Sequence, residues 1–207
     1  MMMRNRVLSE LSREGARGAF NRRVAHLADD SLLELADDDI AALAVLGDRY
    51  VQETLRLLES CVTAARQARA DAVIAPIATA CERFYLEPPG FDPDHPGLFG
   101  LACSSYLARE LIACVSDQTR RLRGFPLIAS PPHPERDIIA AMLGRDLAAQ
   151  LDRIVEDAFA RPDLRFACNG AFALNGSLRA SGMESDWDAS WTEDARRYGA
   201  EVGISFT

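Results

Sequence analysis

The chain of 207 residues contains no lysine, so all 23 of its basic residues are arginine. This absence excludes Schiff-base lysines, lysine general bases and the lysine of phosphate-binding P-loops. The G-x-G-x-x-G, C-x-x-C and zinc-finger histidine spacings are also missing, which excludes dinucleotide-binding folds and the common zinc sites. The arginine bias, together with heavy use of alanine and aspartate, is typical of a GC-rich bacterial genome.

Long apolar runs are missing as well. No stretch approaches the ~18 consecutive apolar residues of a membrane-spanning helix, and the N-terminus lacks the apolar core of a secretory signal. The five cysteines, an odd number, fit a reducing compartment. We therefore predict a cytoplasmic protein with no integral membrane segment. What is present, 48% hydrophobic and 26% charged residues with a net charge of −8, is typical of a packed acidic globular protein.

The charge is unevenly distributed near the N-terminus. Residues 1–28 contain six arginines and two glutamates, whereas residues 29–60 contain nine acids and two arginines. An arginine-rich arm could bind phosphates or an anionic membrane surface. The interpretation we favour is that a first helix docks onto the acidic segment that follows it. Because the chain is acidic overall and would repel nucleic acid, we expect no nucleic-acid partner.

Hydrophobic periodicity predicts four helices before residue 162. The strongest runs from Ile40 to about Ala70, with a seven-residue repeat that places small residues at the seam. Such a seam allows close packing within the chain or between two copies, so a homodimer remains an alternative. The other three helices are predicted over residues 71–86, 98–123 and 135–160.

After Pro162 the pattern changes to short alternating runs. Asn169–Gly170 and Asn175–Gly176 separate these runs, and Asn-Gly is the preferred pair for two-residue hairpin turns. The spacing predicts up to three short antiparallel strands, then a helix from Trp191 and a last strand over residues 202–206.

The predicted fold class is therefore mainly α, a bundle of four to five helices with a small C-terminal antiparallel β/α appendage. We assign the bundle to residues 1–162 and the appendage to residues 163–207. No internal repeat or low-complexity linker divides the chain. We accordingly expect the appendage to pack on the bundle as one cooperative unit.

The most enzyme-like cluster is the sequence Asp92-Pro93-Asp94-His95, between the second and third helices. Two carboxylates and an imidazole could hold a divalent metal or perform acid–base chemistry, beside Glu82 or Glu110. Aspartate and proline are also the residues that ordinary turns prefer. The turn is the favoured interpretation, and Asp92, Asp94 and His95 are the weaker candidate metal ligands.

Cys103 is the one cysteine with a candidate chemical role. It lies near the start of the third helix, where the helix dipole could lower the thiol pKa, and His95 is eight residues upstream. Gly100, Ala102 and Ser104 around it also fit a patch for tight packing. We favour packing, since a thiol in such a stretch behaves as a small buried hydrophobe.

Aromatic residues in polar surroundings mark the candidate partner-binding surface. Trp187 and Trp191 lie four residues apart among five acids in ESDWDASWTED, and Phe91 lies in a proline-rich loop. Aromatic anchors of this kind dominate protein interfaces. The alternative is that the two tryptophans cap the small sheet against the helices.

The predicted function is a non-enzymatic cytoplasmic protein-interaction module: an adaptor, a dedicated chaperone, an immunity protein or an assembly factor. It would bind another protein and need no cofactor. Two alternatives stay open. One is a small metal-dependent or acid–base enzyme that uses Asp92, Asp94 and His95, and the other is a helical sensor with a small-molecule pocket beside a kink at Pro76.

Overall fold

The computed structural model describes residues 2–13, 15–30, 36–67, 71–87, 97–124 and 134–170. Within these ranges the chain forms eight α-helices and no strand, which confirms a mainly-α fold. The helices are α1 (Met2–Leu11), α2 (Ala16–Asp30), α3 (Asp37–Gln67), α4 (Asp71–Leu86), α5 (Leu98–Arg123), α6 (Pro134–Leu143), α7 (Arg145–Phe159) and α8 (Pro162–Gly170).

Three of the predicted helices are confirmed. The observed bounds of α4 and α5 are those predicted. α3 begins three residues earlier than expected, and residues 68–70 at its predicted end lie outside the described residues. Asp37, Asp38 and Asp39 form the first turn of α3, where carboxylates interact favourably with the positive end of the helix dipole. The Asp39 carboxylate also accepts a 2.9 Å hydrogen bond from the backbone N–H of Ala36, which satisfies a donor at the helix start.

The fourth predicted helix, over residues 135–160, is wrong as a single element. Gly144 breaks it into α6 and α7, with backbone angles of φ 89° and ψ 139° that L-residues rarely adopt. The hydrophobic pattern continues across the break because both helices bury apolar residues against the same core. A glycine within a helical pattern costs only about 1 kcal/mol relative to alanine, so periodicity alone did not reveal the break.

The first predicted strand and its turn are also wrong. Residues 165–170 belong to α8, whose Leu164, Ala167 and Cys168 form a buried face at helical spacing. Pro162 occupies the first helical position, which suits its fixed φ angle. The rest of the predicted appendage, residues 171–207, lies outside the described residues, and the domain boundary after residue 162 stays a prediction.

The central element of the bundle is α5, which packs against all seven other described helices. Its segment Leu98–Leu122 is long and apolar enough to cross a membrane, but 72% of its most apolar window is buried inside the bundle. This is the pattern of a core helix that is surrounded by other helices. At 1.5 Å per residue, α5 is about 39 Å long.

The small-residue seam of α3 packs within the chain. Gly47, Tyr50, Thr54 and Cys61 are all buried, and a Cβ at Gly47 would lie 3.1 Å from the Phe20 ring of α2. Because α2, α4 and α5 contact α3, these described seam residues pack within the chain. A homodimer stays a prediction.

The basic N-terminal segment docks along α3, as the favoured interpretation predicted. Arg4 pairs with Glu59 at 3.1 Å, and Arg17 pairs with Asp48. Exposed ion pairs of this kind contribute about 0–1 kcal/mol each, so most of the stabilisation comes from apolar burial. The buried apolar side chains of α1 and α2 include Val7, Ala16, Phe20 and Val24.

A substitution at Gly97 tests how closely α2 approaches the start of α5. The φ of Gly97 is 88°, and a Cβ there would lie 2.8 Å from the carbonyl oxygen of Ala16. We expect Gly97→Ala to lower the free energy of unfolding by about 3 kcal/mol, from backbone strain and steric overlap together. Gly124 is the matched control, because its φ is 82° and it has no neighbour within 4 Å.

We expect Gly124→Ala to cost about 1 kcal/mol, since it adds backbone strain alone. Urea denaturation of both variants measures the difference. Equal losses of stability would contradict the close approach of Ala16 to Gly97.

Candidate functional site

A buried polar cluster joins α3 to α5. The Arg109 side chain, in a residue only 5% exposed, donates from Nε to Thr54 Oγ1 at 2.7 Å. Its Cζ lies 4.4 Å from the ring centroid of Tyr50, and Thr54 Oγ1 in turn donates to the Tyr50 carbonyl. A buried guanidinium requires such contacts, because an unpaired buried charge is very costly.

A second set of buried hydrogen bonds joins α4 to α5. The hydroxyls of Tyr85 and Ser105 are 2.8 Å apart, and Ser104 Oγ donates to the Phe84 carbonyl at 2.8 Å. Burial raises the pKa of Tyr85 well above its usual value, so this residue remains a neutral phenol. These groups lie within the bundle, where they hold helices together and present no atom to a substrate.

A partly exposed cluster lies where α5, α6 and α7 meet. Arg136 donates from Nε to Glu110 Oε1 at 2.9 Å, and its Nη2 lies 3.4 Å from each carboxylate oxygen of Asp152. Tyr106 donates its hydroxyl to Asp152 at 2.9 Å. Its ring centroid lies 5.7 Å from the Arg136 Cζ.

The protonation states of this cluster favour a structural role. Burial, and then the nearby Glu110 carboxylate, raise the pKa of Tyr106. Burial acts to lower the pKa of Arg136, but Glu110 and the other neighbours outweigh it, and the net shift is upward. At neutral pH Tyr106 keeps its proton and Arg136 keeps its charge, so neither is a general base. The cluster holds α6 and α7 against α5.

The predicted metal ligands Asp92, Asp94 and His95, together with Phe91, lie outside the described residues. Glu110, which was predicted as a further ligand, is paired with Arg136 and lies thirteen residues along α5 from Gly97, or about 20 Å. Glu82 is exposed near the C-terminal end of α4.

Among the residues that the structure describes, no group of three or more His, Cys, Asp or Glu side chains could hold a metal ion. The site at Asp92, Asp94 and His95, beside Glu82 or Glu110, therefore stays a prediction.

Pro76, the predicted position of a kink, lies inside α4, next to a small apolar cavity. Its volume is about 10 Å³, which is space for about one water molecule, whereas ligand pockets are typically about 300–1,000 Å³. The described residues around this cavity therefore form a well-filled core, and the sensor pocket stays a prediction. The cavity is lined by Leu58, Cys61, Val62, Ile74, Ile77, Ala78 and Ile112.

The cysteines behave as core residues. Cys103 is fully buried, so it is not an accessible nucleophile, and the packing interpretation is supported. Burial raises the pKa of Cys61 to about 12 and also raises that of Cys81. Cys114 is partly exposed, and its pKa is raised by burial and by the neighbouring Glu110.

Trp187 and Trp191 lie beyond residue 170 and are outside the described residues. One exposed aromatic residue was missed by the sequence reasoning: Phe166, on α8, is 68% exposed. Its position was interpreted as part of a strand. The helical spacing of Leu164, Ala167 and Cys168 was the signal that would have placed Phe166 on the outer side of a helix.

Comparison with known proteins gives no relative. No family model, no curated protein and no solved structure matches the chain. The functional assignment therefore depends on the chain's own residues and their surroundings.

Replacing Arg136 by methionine tests the cluster of Arg136, Glu110 and Asp152 where α5, α6 and α7 meet. Arg136→Met leaves Glu110 and Asp152 without their shared cation, and we expect it to lower the free energy of unfolding by about 1–2 kcal/mol. Arg120→Met is the control, because Arg120 pairs with the exposed Asp117 one turn away and should contribute about 0.5 kcal/mol or less. Thermal or urea unfolding measures both variants. Equally small decreases in the free energy of unfolding would contradict the role of Arg136 in holding α6 and α7 against α5.

Thiol labelling tests the burial of the cysteines. At about pH 8, near the usual thiol pKa, we expect iodoacetamide to modify Cys114 slowly and the other four cysteines only after unfolding. Peptide mass spectrometry identifies the modified residues. Rapid labelling of Cys103 in the native protein would restore the nucleophile hypothesis.

Proposed function

We propose that the protein is a non-enzymatic cytoplasmic protein-interaction module, acting as an adaptor, a dedicated chaperone, an immunity protein or an assembly factor. It binds another protein through aromatic side chains of its C-terminal part. The observation that carries this proposal is Phe166, which at 68% exposure is the most exposed large hydrophobic residue in the described part of the chain.

The position of Phe166 supports a binding role. α8 buries one side against α4 and α5 and presents Phe166 and Arg165 outward. Single exposed apolar residues are common on monomers, but exposed aromatic and arginine side chains are the types that dominate binding energies. The acidic segment with Trp187 and Trp191 begins at residue 184, shortly after α8 ends, so a partner could contact all three aromatic residues.

The polar clusters on α5 support the same proposal. Arg109, Thr54, Tyr85 and Ser105 are engaged with one another or with neighbouring helices inside the core. Arg136 is engaged with Glu110 and Asp152 at a helix junction. These groups stabilise the bundle, which favours a function at its surface.

Native mass spectrometry of the protein purified from its own host tests the proposal. We expect a second polypeptide at fixed stoichiometry. The paired change Trp187→Ala with Trp191→Ala should weaken that complex at least tenfold, equivalent to about 1.4 kcal/mol, and Phe166→Ala severalfold. Val45→Ala is the control, because Val45 is also exposed, at 56%, but lies on α3.

A bare chain would contradict the proposal. If that chain carried a metal ion that His95→Ala removes, the enzyme alternative with Asp92, Asp94 and His95 would replace it. A bound small molecule that raises the melting temperature would instead favour the sensor alternative.

A further inference from the structure

The arm formed by α1 and α2 is a basic surface on an acidic protein. From Met2 to Asp30 it carries six arginines and four acids, a net charge of +2. Two of the arginines face α3, where Arg4 pairs with Glu59 and Arg17 with Asp48. Three further arginines are exposed, and we call them together the arm face: Arg6, Arg13 and Arg22.

The arm face has cations that the bundle does not neutralise. Arg13 pairs with Glu10 of the same arm, at 2.9 Å. Arg6 and Arg22 are exposed and form no ion pair with the described residues. Arg22 lies two residues from the buried Phe20 and two from the buried Val24, so it points away from the core.

The chain itself contains a segment of the complementary chemistry. Residues 184–194, ESDWDASWTED, carry five acids, no basic residue and both tryptophans of the protein. We propose that the arm face is a docking surface for this acidic tryptophan segment of the same chain. Carboxylates would pair with Arg6 and Arg22, and the indole rings would stack on guanidinium planes.

The connecting chain is long enough for this contact. Thirteen residues, 171–183, separate α8 from the segment and span up to about 43 Å when extended. This is close to the length of α3, the longest described helix, at about 46 Å. Nucleic acid or an anionic membrane could bind the same arginines, but the protein's net charge of −8 would repel either one.

If the protein has the proposed function, this contact would regulate it. The regulatory role rests on the proposed function, but the contact itself does not. Tryptophans held on the arm face are withheld from a partner until the partner displaces them. The contact itself can be tested on the isolated chain, so the absence of a partner would refute the proposed function and leave the contact standing.

Intrinsic fluorescence measures the contact directly, because Trp187 and Trp191 are the only tryptophans. For the full chain at low salt we expect tryptophan emission that is blue-shifted and less quenched by acrylamide than in denaturant. The paired change Arg6→Glu with Arg22→Glu should shift emission to the denatured position and raise quenching severalfold. About 1 M salt, where the screening length is about 3 Å, should do the same to the wild type.

The matched control is Arg145→Glu with Arg153→Glu on α7. Both residues are exposed and form no ion pair with the described residues, so the change in net charge is identical and we expect no shift. Circular dichroism checks that each variant is folded. If the arm variant unfolds, Asp186→Arg with Asp188→Arg tests the same contact from the segment side, and the same red shift is expected.

Four results would overturn the proposal. The first is wild-type emission already at the denatured position, and the second is an equal response of the arm and control variants. The third is a blue shift that disappears on dilution, which would show a contact between two copies. Wild-type binding to anionic phospholipid vesicles with no change in tryptophan emission would assign the arginines to a membrane surface and also refute the proposal.

Discussion

The burial of α5 on all sides is the constraint on which the rest of the structure depends. A helix surrounded by seven others needs apolar or small residues around its whole circumference. Each polar group that it carries also needs a partner within the bundle. Ser104, Ser105 and the Nε of Arg109 meet this requirement with Phe84, Tyr85 and Thr54. These hydrogen bonds fix the positions of α3 and α4 relative to the core helix.

The sequence predicted the helices whose signals are local. α5 lies between two proline-rich segments and α4 ends before the first of them, and the bounds of both helices were predicted to the residue. The break at Gly144 and the helix over Pro162–Gly170 were not predicted. In the helix, the tertiary burial of Leu164, Ala167 and Cys168 overrode the turn preference of Asn169–Gly170.

The candidate site was less predictable than the fold. Arg136 and Glu110 are 26 residues apart, and Tyr106 and Asp152 are 46 apart. Their contacts depend on how three helices pack, which no local spacing expresses. The exposure of Phe166 likewise depends on which side of α8 meets the core. The aromatic and acidic residues that the sequence singled out, Trp187, Trp191, Phe91, Asp92, Asp94 and His95, lie in the two ranges 88–96 and 171–207.

Arg109 also affects where α5 can reside during synthesis. This arginine lies next to Glu110, the middle residue of the segment Leu98–Leu122, which has the length and apolar composition of a membrane span. A charged residue at the centre of a bilayer costs about 2.5–3.5 kcal/mol on insertion scales. Within the bundle, by contrast, Arg109 contacts Thr54 and Tyr50. The same guanidinium that crosslinks the core therefore disfavours the insertion of α5 into lipid before the surrounding helices have formed.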